Sequence, residues 1–222
     1  MTATATATLG PATEPAGSAD ALTERTLRES LHAALDADAR AWLDRALGEV
    51  ADSAAALHRH FPAAGRGCGR GPLPGWAGWS IADAARTVLL LAASPDARTL
   101  VSEAVSLYHR GDAYERIGVL RALPFLPIGP AALSLVDDAL RTNDTRLIGA
   151  AVGPYACRHL DQDHWRQAVL KCLFTGIRLS AVAGLDARRD AELAAMAERF
   201  AQERRAAGRP VPDDTWLLTH AR

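Results

Sequence analysis

Apolar residues recur at helical spacing in one short run after another, and a proline or a capping residue closes each run. That punctuation confines the chain to short helices joined by tight turns. Leu27, Leu31 and Leu35 recur every four residues. Leu43, Leu47, Val50, Ala54, Leu57 and Phe61 follow in alternating steps of four and three, the stripe one buried helix face requires. Beyond residue 80 the spacing predicts helices over about 81–93, 95–109, 112–123, 130–141, 144–152, 161–174 and 186–207. Pro95, Pro124, Pro127, Pro130 and Pro154 fall at their boundaries, where a residue without an N–H belongs. No run alternates as a half-buried strand does. The expected fold is all-α: an irregular stack of short antiparallel helix pairs, HEAT-like or a looser α-helical array, with an orthogonal bundle as the alternative.

At 222 residues the chain is long enough for a substantial core, and 49% apolar with 23% charged is an ordinary globular balance. A net charge of −1 argues against a dedicated nucleic-acid binder. Cys68, Cys157 and Cys172 form no CxxC pair and leave an odd count, which suits a reducing compartment better than a disulfide scaffold. The longest apolar stretch, Val88 to Ala93, is too short to span a bilayer. Residues 1–19 lack the basic and apolar regions of a signal peptide and are expected to form a disordered leader, with a single helical domain over 20–222. A cytoplasmic protein without a transmembrane segment is expected.

Residues 62–79, from Pro62 through Trp79, form the one long Gly/Pro-rich interruption. A loop of this length is uncommon unless functional, and Trp76 and Trp79 are expected to fold it back onto the body. Its Gly65–Gly71 run lacks the GK[ST] and the preceding strand of a phosphate loop, which leaves a flexible anion-contacting loop as a weak alternative.

Polar residues stand inside or beside the apolar segments, where a charge is costly unless paired. Asp112, Glu115 and Arg116 are helix neighbours; Asp112 as cap with Glu115 as its partner accounts for both carboxylates, with an ion-pair network or a metal held by His109, Asp112 and Glu115 as alternatives. Tyr155, Cys157, His159, Asp161, Asp163 and His164 cluster, yet Asp161 and Asp163 stand where a helix should be capped, and no HExxH or CxxC supports a metal. Lys171 sits within Ala168 to Phe174 and either snorkels, pairs structurally or enters a pocket. No cofactor motif is present, and neither a cofactor nor a metal is expected.

Taken in order, several segments resemble the EboA family of small bacterial proteins. They are Tyr108-His109-Arg110-Gly111-Asp112, Glu115-Arg116, Val119 to Pro124, Ala139 to Asn143, Pro154-Tyr155, Gln167, Val169-Leu170-Lys171 with Phe174, Gly184-Leu185 with Arg188, and Glu203 to Arg209 with Val211-Pro212. The resemblance covers about 100–216. Gly153 departs from it, standing where the family pattern has asparagine.

The resemblance implies a metabolite-traffic protein. Such proteins occur in clusters that make or move secondary metabolites, beside prenyltransferase-like, TatD-like, sugar-isomerase-like and dehydroquinate-synthase-like proteins. It supplies no catalytic residues. Three functions follow as expectations: a module that binds or traffics a small metabolite or scaffolds pathway enzymes; a cofactor-independent acid/base enzyme; or a helical adaptor for other proteins. Catalytic candidates are Lys171, Tyr155, Asp112 and Glu115. Ligand-binding candidates are Arg116, Arg121, Asn143, Tyr155, Lys171 and His109. A closed pocket joining Lys171, Tyr155 and a carboxylate would favour ligand binding or catalysis over the adaptor.

Overall fold

In this computed structural model residues 23–94 and 96–219 are described; the leader expected over 1–19 and the boundary residue Pro95 lie outside them. The described residues form an irregular all-α array, with one isolated antiparallel bridge, Pro72 to Ser80, and no strand among them. No helix among them is long and apolar enough to cross a membrane.

The first three helices are α1 (Glu24–Ala34), α2 (Ala37–Asp52) and α3 (Ala54–Gly67). Thr23 forms a capping box with Thr26, and Asp36 accepts from the Ala39 N–H, so the exposed first-turn donors are satisfied. Leu27, Leu31, Leu43, Val50, Leu57 and Phe61 are buried, as their spacing predicts, but the single face expected over 43–61 is broken at the extended residue Ser53, which leaves Ala54 exposed and Leu47 half-buried. The interruption expected from Pro62 begins later, because α3 runs through Pro62 to Gly67. Proline removes one donor, the one that would meet the His58 carbonyl. Burial of Leu57 and Phe61, at about 1.5–3 kcal/mol each, keeps the helix intact around it.

The hub is α4 (Ile81–Ala92), begun by a capping box between Ser80 and Asp83. Every residue from Ala82 to Leu90 is buried, and the helix packs against α1, α2, α3, α5 (Ala97–Arg110) and α6 (Ala113–Ala122). A helix covered on all sides is a core helix. This one takes two charges, Asp83 and Arg86, into the interior.

A 3-10 turn (Leu123–Phe125) leads to α7 (Leu133–Arg141), α8 (Thr145–Ala151), α9 (Pro154–His159) and α10 (Gln162–Thr175). Asp96, Asp112, Asp144 and Asp161 cap α5, α6, α8 and α10. Two boundaries differ from the sequence expectation. The turn after residue 152 contains α9, with Pro154 at its first position. The helix expected over 186–207 is broken into α11 (Leu185–Arg188) and α12 (Ala191–Ala206). Its interruption is Asp190, an extended residue whose side chain caps α12 through the Leu193 N–H. A 3-10 turn (Asp213–Thr215) and α13 (Trp216–Thr219) follow, and one apolar cluster runs from Leu27 to Leu218.

Asp190 also accepts from Arg166 and Gln162. Hydrogen bonds from Arg166 and the cap hold its carboxyl well below the usual carboxylate range. A depressed folded value means that its stabilising contribution is complete above the unfolded pKa of about 4 and fades as pH falls toward the folded value. Asp190→Asn is therefore expected to lower stability by about 1 kcal/mol at pH 7, a figure limited by partial exposure. Thermal melts should show the gap to wild type narrowing below about pH 4; a constant gap would contradict the assignment.

Candidate functional site

A cleft of about 960 Å³ opens between the end of α3, the 68–80 segment, the start of α4, α6 and the tip of α8. That volume suits a small organic molecule. Its basic side chains are Arg66, Arg70, Arg86, Arg121 and Arg146; its carboxylates are Asp83, Asp112 and Glu115. Pro62, Leu73, Trp76, Trp79, Tyr114 and Ile117 supply apolar surface.

The 68–80 segment builds one wall, and its glycines explain how. Gly75 and Gly78 have φ of 78° and 76°, values open to glycine at little cost. They let the chain double back, so that Leu73 N–H meets the Trp79 carbonyl at 2.9 Å and Ile81 N–H meets the Gly71 carbonyl at 2.9 Å. Trp76 and Trp79 then pack edge-on at 5.3 Å and both approach Phe125. The Trp76 indole donates to Ser30 Oγ at 3.0 Å, tying this wall to α1. Both tryptophans therefore fold back on the body, as expected.

The floor is Arg86, only 6% exposed. Its Nε donates to the Phe61 carbonyl at 3.2 Å and its Nη1 to the Tyr114 carbonyl at 3.4 Å. Asp83 is 3.9 Å away, too far for a tight ion pair. Nη2 has no hydrogen-bond partner among the described residues. Burial pulls this guanidinium below its ordinary value, opposed by the charges of Asp83, Glu115 and Asp112; an arginine stays protonated nonetheless. Gly118 makes room for it, since a Cβ there would lie 2.6 Å from Arg86 Cδ.

Two other arginines are already engaged. Arg121 pairs with Asp83 and lies over the Trp79 ring at 5.7 Å, while Ser80 Oγ donates to the same carboxylate at 2.6 Å. Arg146 is bidentate on Asp144 at 3.0 and 2.7 Å and covers Tyr114 at 5.3 Å. Arg66 and Arg70 form no ion pair among the described residues.

The sequence candidates divide by position. Asp112, Glu115 and Arg121 line the cleft. Tyr155 is buried in α9, where its hydroxyl donates to the Gly129 carbonyl at 2.6 Å and accepts from Ala132 N–H at 3.0 Å. Lys171 is half-buried and reaches Asn143 Oδ1 at 3.1 Å on the α7–α8 turn. Arg116 closes on the Gly111 carbonyl at 3.1 Å and lies over Tyr108 at 5.4 Å. His109 is exposed and meets the Tyr108 ring edge-on. Lys171 and Tyr155 thus have partners of their own and are not among the residues lining the cleft. Gly153, the departure from the family pattern, is the N-cap of α9 and likewise not among them. Among the described residues no group of three or more His, Cys, Asp and Glu side chains converges to hold a metal.

The profile of the family described as "Metabolite traffic protein EboA" matches residues 70–220. The chain belongs to the EboA family. Its metabolite-traffic role therefore applies to this chain. The match starts well ahead of residue 100, where the sequence motifs begin, and so takes in Arg70, the tryptophan wall and all of α4. Most of the cleft lies inside the EboA match; Pro62 and Arg66 on α3 lie outside it. No curated protein and no solved structure matches the chain.

Sequence reasoning overlooked Arg86, although its signal was present. It stands in Ile81 to Leu91 as Lys171 stands in Ala168 to Phe174, one cation in an apolar run. Arg66, Arg70, Trp76 and Trp79 fall in the Gly/Pro segment, which its length, its two tryptophans and its Gly65–Gly71 run singled out in the sequence.

Proposed function

We propose that this cleft is where the protein holds the metabolite it traffics, and that the metabolite is an organic anion with a flat apolar body. The observation that carries this reading is Arg86, a guanidinium more than nine-tenths buried that faces the cleft with one nitrogen unpartnered. A buried cation without a close counter-ion is destabilising by itself and favours any anion that can reach it. Arg66 and Arg70 add positive charge at the rim, and Trp76 supplies the apolar surface. Holding rather than converting the ligand suits a site in which Asp83 is tied by Arg121 and Ser80. A cytoplasmic setting goes with this reading, on the odd count of three cysteines without a CxxC pair. Other proteins of the same pathway would deliver or receive the ligand.

Calorimetric titration with 3-(2-naphthyl)propanoate and its neutral amide tests the reading. The acid is expected to bind at least ~10-fold more tightly, the discrimination a charge-assisted hydrogen bond supplies. Arg86→Met, checked by circular dichroism, should remove that preference. Arg70→Gln, a surface change, should weaken the acid alone by about 3-fold and serves if Arg86→Met does not fold. Lys171→Ala should leave both affinities unchanged. Equal binding of acid and amide by the wild type would overturn the proposal.

A further inference from the structure

The carboxylates of the cleft carry the reading one step further, to the second functional group of the ligand. Asp112 caps α6 by accepting the Glu115 N–H at 2.9 Å. Glu115 does not return the contact: the capping box expected from the sequence is only half formed. Its carboxylate is half-buried, lines the cleft and has neither a hydrogen bond nor an ion pair among the described residues. It lies folded against Gly111, where a Cβ would stand 2.8 Å from Glu115 Cβ and 3.0 Å from Oε2. Glycine at 111 thus gives Glu115 the room for this position.

Arg86 and Glu115 line the same cleft. Arg86 Nη1 reaches the carbonyl of Tyr114, the residue next to Glu115. Asp83 is the strongest attractive charge on Arg86, followed by Glu115 and Asp112, while Arg70 is a repulsive one. Arg86 bridges α3, through the Phe61 carbonyl, and α6, through the Tyr114 carbonyl, so the cleft has a basic edge at the end of α3, with Arg66 and Arg70, and an acidic edge at the start of α6, with Asp112 and Glu115. A simple anion would satisfy the first edge and be repelled by the second. A ligand carrying both signs a few ångströms apart satisfies each.

We infer that the ligand is an amino-acid-like zwitterion with a flat apolar side chain, its acid group on Arg86 and its ammonium on Glu115. This rests on the cleft being the ligand site and adds the requirement for a donor. Asp112 shares the acidic edge while it caps the helix, and Trp76 receives the side chain.

The test compares three probes by calorimetry: 3-(2-naphthyl)alanine, 3-(2-naphthyl)propanoate, which lacks the ammonium, and 2-(2-naphthyl)ethylamine, which lacks the acid. The wild type is expected to bind the amino acid at least ~10-fold more tightly than the propanoate, as one added charge-assisted bond supplies. Glu115→Gln, which keeps the shape of the side chain, should bring the two within about 3-fold of each other while the propanoate loses nothing. Asp112→Asn, which can still cap α6, should narrow the gap less. If the propanoate binds as tightly as the amino acid, the dipolar ligand is refuted and the anion site stands. A gap unchanged in Glu115→Gln refutes the role of Glu115. Failure of all three probes to bind would refute both readings.

Discussion

Trp165→Ala is expected to cost about 3–5 kcal/mol of stability, the range for truncating a large buried aromatic. Trp165 is 1% exposed in α10 and fills the space beneath Arg188, whose guanidinium lies 4.9 Å from the ring centroid. That arginine is a clasp. Its Nη1 donates to the Cys157 carbonyl at 2.6 Å and its Nη2 to the Leu160 carbonyl at 3.0 Å, satisfying acceptors at the C-terminal end of α9. Nε and Nη2 meet Gln162 Oε1, and Gln162 Nε2 returns a bond to the Arg188 carbonyl at 2.8 Å. Removing the ring leaves a cavity and takes away the surface that positions the clasp. Urea unfolding followed by far-ultraviolet circular dichroism should show a lower midpoint at unchanged slope. A loss below 1 kcal/mol would mean that the clasp does not depend on the ring.

Gly184→Ala should be nearly as damaging, at about 2–4 kcal/mol. Two independent causes act there. Gly184 has φ of 70°, a conformation that costs an L-residue about 1–2 kcal/mol. A Cβ would also stand 2.3 Å from Cys157 Sγ, so the sulfur or the backbone must move. The causes can be separated, because the pair Gly184→Ala with Cys157→Ala removes the overlap and leaves the backbone strain. The double variant should recover about half of the loss relative to Cys157→Ala alone. No recovery would place the whole effect in the backbone.

Gly184 and Arg188 explain part of the family motif. Gly184-Leu185 with Arg188 reads in the sequence as a signature without a reason. In the structure it is the turn and clasp that lock α9, α10 and α11 together. Tyr155 likewise pins the 129–132 turn, and Arg116 closes the α5–α6 corner at Gly111. Several of the polar residues that resemble the family are joints of the array.

Periodicity and capping residues made the helices legible, since Asp112 and Asp161 cap α6 and α10 near where the apolar spacing starts each helix. Pro62 misled because a local breaker signal was weighed without the burial of Phe61 beside it. The break at Asp190 was invisible for the opposite reason: its partners Arg166 and Gln162 lie more than twenty residues away. The cleft was only partly legible. Asp112, Glu115 and Arg121 could be nominated from local spacing, whereas Arg86 becomes significant only when α3 and α6 close over it. Glu115 shows the limit most clearly, because its sequence position offered a capping role that its side chain does not take up.

A crystal structure with 3-(2-naphthyl)propanoate bound tests the central claim most directly. The carboxylate is expected within hydrogen-bond reach of Arg86 Nη2, about 2.7–2.9 Å, with the naphthyl ring against Trp76. A ligand seated away from Arg86, or held with its carboxylate at Lys171, would contradict it.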